Sequence, residues 1–238
     1  MLAHPGIGPL AGLRQCISAG EALPAAVGER WSARVGVDIL DGLGSTEMLH
    51  IFASNQPGAV RYGTSGTAVP GYELRIVDEN GDEADEGELL VRGPTAAEGY
   101  WNQREKTRRV FQGEWTRTGD TYVRDGDCFR YQGRADDMFK VSGVWVSPFE
   151  VESALMAHPA VLEAAVVGKA DGDGLVKPHA FVILQEPARD MAEEALFEAL
   201  REQVKLVAGA WKYPRWITVV ESLPKTATGK IQRFLLRQ

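Results

Sequence analysis

Residues 13–47, LRQCISAGEALPAAVGERWSARVGVDILDGLGSTE, decide the fold of the first half of the chain. The apolar run in residues 13–20 predicts a short buried strand ending at a glycine, and Pro24 opens a helical stretch to about Arg34. A second apolar run, residues 37–42, ends in Asp-Gly. Strand, helix and strand at this spacing predict a right-handed parallel unit. Ligands of open parallel sheets bind beyond the carboxyl ends of the strands, so SAGEA and DGLGSTE mark a candidate site.

Residues 62–133 have a different pattern, with short segments such as YELRIVD and GELLVRG in which apolar residues recur with period two. The segments are separated by turn signals at Glu79-Asn80-Gly81, Glu86-Gly87 and Asp125-Gly126. This pattern predicts small antiparallel hairpins that form a partial, barrel-like sheet.

Residues 137–238 predict a separate compact α/β domain. Ser147-Pro148-Phe149-Glu150 is a capping box with proline at the first helical position, so a helix begins there. VLEAAVVG, HAFVIL and WITVVESL predict three strands. The apolar face of a longer helix, from Ala192 to Val207, is expected to consist of Leu196, Leu200 and Val207. The chain is therefore expected to be of the mixed α/β (α+β) class, with domains at 1–135 and 136–238.

Composition excludes several classes of protein. Hydrophobic residues make up 44% and charged residues 25% of the 238 residues, the balance of an ordinary soluble globular protein. The net charge of −7 argues against a nucleic-acid partner. No run of about 18 apolar residues predicts a membrane span, and the beginning of the chain does not resemble a signal peptide. Cys16 and Cys128 are expected to be ordinary thiols, and the expected location is cytoplasmic.

Two polar segments of the first domain carry candidate chemistry. In DGLGSTE, the hydroxyl of Thr46 could contact a phosphate and the carboxylate of Glu47 could hold Mg²⁺. A plain loop whose Ser45 or Thr46 caps a helix is the alternative. In WTRTGD, Asp120 either accepts hydrogen bonds from ribose hydroxyls or belongs to a simple glycine turn.

Two further segments lie at the start and the end of the second domain. GRADDMFKVSG, residues 133–143, alternates charges at the domain junction, and its alternative is a solvated linker. PKTATGK places Lys230 behind a Thr/Gly turn, where it could meet an anion or remain an exposed lysine. YGTSGTAVPG, residues 62–71, looks like a phosphate loop, but a strand rather than a helix follows it. It is therefore interpreted as a structural turn.

In this order and spacing, the four segments resemble the signature motifs of the adenylate-forming superfamily of AMP-binding enzymes. That superfamily contains acyl- and aryl-CoA ligases, peptide-synthetase adenylation domains and luciferases. DGLGSTEMLHIFASN, SGVWVSPFEVESAL and PKTATGKIQRFLLR are most similar to benzoate–CoA ligases. The resemblance covers essentially the whole chain. It implies that residues 1–135 are the C-terminal part of the large ATP- and acid-binding domain, and that residues 136–238 are the small mobile domain.

The resemblance also implies a two-step reaction that uses ATP, Mg²⁺ and CoA. An aromatic carboxylate is first adenylated, and CoA then displaces AMP to give a thioester. Lys230 matches the lysine that bridges carboxylate and α-phosphate oxygens, Thr46 the phosphate-contacting threonine, and Glu47 the Mg²⁺ ligand. Asp120 matches the ribose-binding aspartate, with Arg134 beside it.

Other positions match the rest of the family site. Asp136 matches the hinge between half-reactions, and Gly143 lies in the loop expected to line the pantetheine channel, where a side chain would block CoA. The adenine-side loop and its opposite wall match Gly20, Glu21, Ala22, Asp41, Gly42 and Leu43. The acid pocket is expected to include Gly44, which leaves room for a flat ring, together with His50 and Ile51. His50 is alternatively a satisfied core histidine.

Family members normally have several hundred more residues before this point, including a Ser/Thr/Gly-rich loop that ends in lysine. Met1 is therefore expected to match an internal position, and residues 1–135 to expose an apolar sheet edge that invites association. We expect the chain to be inactive alone. A complementing N-terminal chain or self-association would restore the site. Alternatives are adenylation with transfer to a carrier protein, and a non-catalytic fragment that binds nucleotide or a partner.

Overall fold

The computed structural model describes residues 2, 4, 6–189, 191–227 and 229–237. The chain divides into two compact units, Met1–Ala135 and Asp136–Gln238. Each unit has its own sheets and its own buried core. None of the described helices has both the length and the apolar character needed to cross a membrane.

The first unit begins with a four-stranded sheet in the order β1-β2-β3-β4. Its strands are β1 (Cys16–Ala19), β2 (Ile39–Gly44), β3 (Ile51–Ser54) and β4 (Thr67–Ala68). Helix α1 (Ala25–Val35) connects β1 to β2, which pair in parallel with Cys16 opposite Ile39. The predicted strand–helix–strand unit with parallel strands is confirmed, and Pro24 directly precedes the helix.

Two details of this unit differ from the prediction. Strand β1, the edge strand of its sheet, is not buried, and the side chain of Ile17 is 69% exposed. Strand β2 does not end at Gly42 but continues to Gly44, since it pairs antiparallel with β3. Both glycines therefore lie inside a paired strand rather than after it.

A close contact fixes α1 against the start of β2. A Cβ atom on Gly28, in the middle of α1, would lie 2.2 Å from Cδ1 of Tyr62, so the tyrosine ring packs directly on the helix backbone. The Tyr62 hydroxyl accepts a hydrogen bond from the Ile39 amide at 3.3 Å and donates one to Asp38 Oδ1 at 2.9 Å. The ring thus joins the helix to the first residues of β2.

The antiparallel hairpins form a five-stranded sheet with the path β5-β6-β8-β7 and with β9 paired to β8. Its strands are β5 (Glu73–Val77), β6 (Glu86–Arg92), β7 (Phe111–Gln112), β8 (Trp115–Asp125) and β9 (Cys128–Arg134). The sequence predicted a turn at Glu86-Gly87, but these two residues form the first part of β6. A short helix, α2 (Arg104–Val110), was not predicted, because it buries no residue and so has no apolar face.

The core of the first unit lies between these strands. Its buried members are Met48, Phe52, Ala53, Tyr72, Ile76, Leu89, Val91, Tyr122 and Phe129. The segment YGTSGTAVPG is part of the same framework, since Ser65 N donates to Phe129 O at 2.8 Å and Asn55 Nδ2 donates to Thr64 O at 2.7 Å. These contacts give the segment a structural role.

The second unit is an α/β structure. A hairpin of β10 (Phe139–Val141) and β11 (Val144–Val146) precedes a three-stranded sheet in the order β12-β13-β14. The other elements are α3 (Pro148–Met156), β12 (Val161–Ala170), β13 (Val176–Leu184), α4 (Glu193–Val207) and β14 (Trp216–Val219), with short 3₁₀ turns at Glu186–Ala188 and Arg233–Leu236. Strand β13 is antiparallel to β12 and parallel to β14.

Local signals for the helices of this unit are mostly confirmed. Ser147 Oγ accepts a hydrogen bond from the Glu150 amide at 3.1 Å, as the capping box predicts. The predicted apolar face of α4 is wrong at Val207, whose side chain is 58% exposed. The third buried position is Val204, because Leu196, Leu200 and Val204 repeat every four residues along the helix.

Candidate functional site

The carboxyl ends of β1 and β2 meet at one edge of the first sheet, where Asp41 is the central polar residue. Asp41 is 5% exposed, and its Oδ2 accepts a hydrogen bond from the Leu23 amide at 3.2 Å. Its Oδ1 is buried and accepts no hydrogen bond within the part of the chain that the structure describes. Burial raises the pKa of Asp41 to about 6, although the polar groups of Leu23, Ser18 and Gly42 act in the opposite direction.

The loop after β1 covers this carboxylate. Gly20 has a φ of +96°, a left-handed conformation that favours glycine, and it turns the chain back toward β2. Glu21 is exposed and Ala22 half-buried. Leu23, at the end of the loop, supplies the amide that Asp41 binds. The three residues predicted for the adenine side therefore lie between Ala19, which pairs with Gly42, and Leu23, whose amide binds Asp41.

We expect Asp41→Asn to raise the free energy of unfolding at pH 8 by about 1–2 kcal/mol. The pKa of Asp41 rises from 3.8 to about 6 on folding, so the natural protein loses stability as the pH rises through this range, and the variant does not. The gain is smaller than the roughly 3 kcal/mol equivalent of the shift, because a buried amide carries its own desolvation cost. Urea unfolding at pH 4, 6 and 8 measures the difference.

Asp38→Asn is the matched control for this prediction. Hydrogen bonds from Ser32 and Tyr62 lower the pKa of Asp38, so its ionised form stabilises the fold and the substitution should destabilise the protein at pH 8. A lower stability of Asp41→Asn than of the natural protein at pH 8 would contradict the assigned cause.

The β2–β3 connection presents Thr46 and Glu47. Thr46 is exposed and Glu47 half-buried. Tyr100, which the sequence analysis did not select, donates a hydrogen bond from its hydroxyl to Glu47 Oε1 at 2.5 Å. Burial raises the pKa of Glu47, but the hydrogen bonds from Tyr100, its own amide and Ser45, together with the charge of Lys106, lower it on balance. The carboxylate is therefore ionised at neutral pH.

Tyr100 is held in place by its own neighbours. Lys106 Nζ lies 3.9 Å from the centre of the Tyr100 ring, and the Tyr100 amide donates to Thr107 Oγ1 at 2.9 Å. Burial and the hydrogen bond to Glu47 raise the pKa of Tyr100 to about 12, so the hydroxyl remains a donor. The signal in the sequence was weak, since Tyr100 lies in an irregular glycine-containing stretch before a polar helix.

Glu47 is suited to only one kind of metal site. Among the described residues, no group of three or more His, Cys, Asp or Glu could hold a metal ion. Mg²⁺ commonly binds through one or two carboxylates and completes its shell with water and substrate phosphates. A single ionised carboxylate such as Glu47 fits a Mg²⁺ that a phosphate-bearing ligand brings with it.

Asp120 and Arg134 lie together, as expected from the sequence. They are opposite each other in the β8–β9 ladder, and Arg134 Nη1 lies 3.4 Å from Asp120 Oδ1 and 3.3 Å from Thr118 O. Gly119 has a φ of +72° inside β8, and a Cβ there would lie 3.0 Å from Arg134 Nη2. Asp120 is thus placed by a strand irregularity rather than by an open turn. Its side chain is mostly buried, at 17% exposure.

The structure shows the immediate neighbours of the residues predicted for the acid pocket. A Cβ on Gly44 would lie 2.6 Å from the carbonyl oxygen of His50, so the hairpin backbone itself requires glycine there. The interpretation of His50 as a core histidine is wrong, because its side chain is exposed. Its Nδ1 lies 2.7 Å from Ile51 O and its Nε2 lies 3.3 Å from the Tyr72 hydroxyl. Leu43, which was predicted for the wall opposite the adenine-side loop, packs against the core of the unit.

The residues predicted for the hinge and the pantetheine channel belong to the second unit. Asp136 is its first residue and lies in an exposed turn. Ser142 and Gly143, with φ values of +50° and +86°, form the two-residue turn between β10 and β11. Positive φ at both positions is the geometry of a tight hairpin turn and favours glycine. A Cβ on Gly143 would contact nothing within 4 Å, so the backbone conformation alone explains the glycine.

Lys230 lies on a tight turn of the same unit. Thr226 N donates to Lys230 O at 2.8 Å, and Lys230 N donates to Thr226 Oγ1 at 3.1 Å. Thr228, in the middle of the segment PKTATGK, lies outside the described residues. The Lys230 side chain is exposed, and within the described ranges its ammonium group makes no ion pair. It is therefore accessible to an anionic ligand.

Two family models match the chain. The model of the AMP-binding enzyme matches residues 1–101, and the model of the AMP-binding enzyme C-terminal domain matches residues 150–230. Together they cover most of both units. The chain belongs to the AMP-binding enzyme family, which confirms the predicted superfamily and fold class.

Two relatives and one solved structure show which enzymes of this family the chain is similar to. The benzoate–CoA ligase of Thauera aromatica is 60% identical in an alignment that covers 100% of this chain and 46% of the relative. The 4-hydroxybenzoate–CoA/benzoate–CoA ligase of Rhodopseudomonas palustris is 59% identical and is matched over 95% of this chain and 42% of its own length. The solved structure of a benzoate CoA ligase from Burkholderia xenovorans LB400 is 53% identical, with a TM-score of 0.92, over 100% of this chain and 48% of that one. The chain spans about half the length of the relatives it matches.

Proposed function

We propose that the chain is part of an aromatic-acid–CoA ligase, which adenylates an aromatic carboxylate with ATP and then forms a thioester with CoA. The observation that carries the proposal is the level of identity to benzoate–CoA ligases, which extends through both units. Benzoate is the first acid to test, and 4-hydroxybenzoate is the second, since both appear in the names of the most similar relatives.

The nucleotide is assigned to the first unit. The paired Asp120 and Arg134 would hold the ribose, with the Asp120 carboxylate accepting hydrogen bonds from its hydroxyls. The buried Asp41 Oδ1, which lacks a hydrogen-bond donor among the described residues, would accept one from the adenine side. Gly20, Glu21 and Ala22 would form the adjacent loop.

In adenylation, an oxygen of the aromatic carboxylate forms a bond to the α-phosphorus, and the bond from that phosphorus to the β-phosphate oxygen breaks. Negative charge builds on the α-phosphate oxygens, where the Lys230 ammonium group and the Thr46 hydroxyl would stabilise it. Glu47 would hold Mg²⁺, which neutralises phosphate charge when bound. Pyrophosphate leaves, and the acyl-adenylate remains for the attack by CoA.

The domain movement between adenylation and thioester formation is assigned to Asp136 and the β10–β11 hairpin. Asp136 begins the second unit, and a few residues at such a boundary can absorb the backbone rotation of a domain movement. Gly143 at the hairpin tip would then line the path of the CoA thiol. Gly143 itself has no side chain that could obstruct a narrow channel.

A chimera tests the proposal independently of the chain's length. This chain would replace the matching 46% of the Thauera aromatica enzyme. We expect benzoate-dependent ATP–pyrophosphate exchange and formation of benzoyl-CoA, both sharply reduced by Asp120→Ala. A folded chimera that exchanges pyrophosphate with none of the tested aromatic acids would refute the proposal. Preference for a carrier protein over CoA in a competition assay would reassign the acceptor.

The same ATP–pyrophosphate exchange assay on the purified chain tests whether a complementing N-terminal chain or self-association completes the site. Mixing it with the remaining N-terminal segment of the Thauera enzyme should restore exchange if a complementing chain completes the site. Exchange by the chain alone, rising with the square of its concentration, would instead indicate self-association.

A further inference from the structure

The second unit contains a cationic pocket that includes none of the residues assigned to catalysis. The cavity has a volume of about 270 Å³ and lies where α4 meets the three-stranded sheet. The side chains that define it come from four elements and the residue before β14: Lys169, His179, Arg201, Arg215, Trp216 and Thr218. Among the residues that the structure describes, no acidic side chain lines it.

Two of its cations have no carboxylate partner in the part of the chain that the structure describes. Neither Lys169 nor Arg215 makes an ion pair within the described ranges of the chain, and Lys169 Nζ lies 5.3 Å from the centre of the Trp216 ring. Arg201 differs, because it lies 3.4 Å from Glu198 Oε2 and donates from Nε to Pro214 O at 3.3 Å. The excess charge therefore comes from Lys169 and Arg215, and a concave surface with excess positive charge concentrates anions.

The walls of the pocket are ordered by hydrogen bonds and ring contacts. His179 is 8% exposed, its Nε2 lies 2.9 Å from Thr218 Oγ1, and its ring stacks 4.2 Å from that of Phe181. His179 is opposite Trp216 in the parallel β13–β14 ladder. Burial and then the charge of Lys169 lower the pKa of His179, so a neutral imidazole lies beside the two cations.

We propose that this pocket binds a phosphate group. A phosphate dianion matches the two unpaired cations in charge, and the Arg215 guanidinium can donate two parallel hydrogen bonds to its oxygens while Lys169 acts as a point charge. Free orthophosphate, pyrophosphate and the phosphate of a nucleotide share this chemistry. The site is independent of the proposed ligase function, since it uses neither Lys230 nor any residue of the first unit.

The test is an NMR titration of the purified chain with orthophosphate, pyrophosphate and AMP at constant ionic strength. The backbone amides of Trp216, Ile217 and Thr218 serve as local reporters. We expect saturable shifts at these amides, with affinity reduced about tenfold or more in Arg215→Gln and in Lys169→Gln, as for the loss of a charge-assisted hydrogen bond. The ranking of the three ligands identifies the source of the phosphate.

Arg130→Gln is the control, because it removes one exposed positive charge from the first unit. Lys230→Ala separates this site from the proposed active site and should leave the reporter shifts unchanged. Absence of saturable shifts, or equal weakening by Arg130→Gln, would overturn the proposal. Tighter binding of benzoate than of all three phosphates at the same amides would also overturn it. The two pocket variants are made separately, so that a folding defect in one leaves the other decisive.

Discussion

Replacing Arg233 by methionine is expected to reduce the free energy of unfolding of the second unit by about 3–5 kcal/mol, the usual cost of removing one partner of a buried ion pair. Glu152 is 3% exposed on the inner side of α3. Arg233 donates to its Oε1 and Oε2 at 3.0 and 2.8 Å, and its Nη1 lies 3.3 Å from Asp137 Oδ2. Without the guanidinium, the buried carboxylate keeps, among the described residues, the Val166 amide as its remaining donor, at 2.8 Å.

The loss should depend on pH. Burial already raises the pKa of Glu152 above its usual 4.5, despite the opposing charge and hydrogen bonds of Arg233. Removal of Arg233 raises that pKa further. Because a group with a raised folded-state pKa loses stabilisation as the pH rises, the difference between variant and natural protein should be small in acid and largest above neutral pH.

Urea unfolding at pH 5 and pH 8 measures this effect. Arg189→Met is the matched control, because Arg189 pairs with Glu186 at 3.1 Å on the exposed surface, where ion pairs contribute little. The double variant Glu152→Gln/Arg233→Met should recover part of the stability, since the neutral amide can still accept from the Val166 amide and no buried charge is left unpaired. If Arg233→Met lost no more stability than Arg189→Met, the buried pair would not have the assigned importance.

Lys230→Ala, made in the chimera with the Thauera enzyme, is expected to slow adenylation of benzoate by roughly 10²–10³-fold, as for the loss of one group that stabilises transition-state charge. The exposed ammonium group follows a turn fixed by two hydrogen bonds with Thr226, and the 3₁₀ turn after it is tied to Glu152 through Arg233. These contacts hold the backbone of the lysine while its side chain remains accessible.

The two half-reactions distinguish a catalytic role from a structural one. Pyrophosphate exchange measures adenylation, and benzoyl-CoA formation from supplied benzoyl-AMP measures the second step, which should be nearly unchanged. Lys225→Ala is the control, because Lys225 pairs with Glu163 at 2.6 Å and should affect neither step strongly. Equal loss of both half-reactions in Lys230→Ala would show that the lysine is needed for more than adenylation.

Elements with local signals could be predicted from the sequence. The parallel unit around α1, the cap at Ser147 and the strands of the second unit follow from apolar period, proline and turn residues. Asp120 and Arg134 could be placed together because their motifs resemble those of one known site. Helix α2 could not be predicted, because a polar surface helix lacks an apolar face.

Contacts between distant residues account for most of what the sequence did not reveal. Tyr100 and Glu47 are 53 residues apart, and Arg233 and Glu152 are 81 residues apart. No local pattern indicates which tyrosine reaches which carboxylate. At Gly44 the sequence led to a wrong reason for the glycine. We expected the missing side chain to leave room for a substrate, but the backbone of His50 occupies that space.

The packing of the Tyr62 ring on Gly28 has a consequence for the variation that the protein tolerates. Any side chain at position 28 would displace the ring, and with it the hydroxyl that binds Ile39 and Asp38. A smaller residue at position 62 would leave the helix glycine uncovered. The two positions therefore form a coupled pair, and a mutagenesis library that changes them one at a time will miss the exchanges that only simultaneous substitution allows.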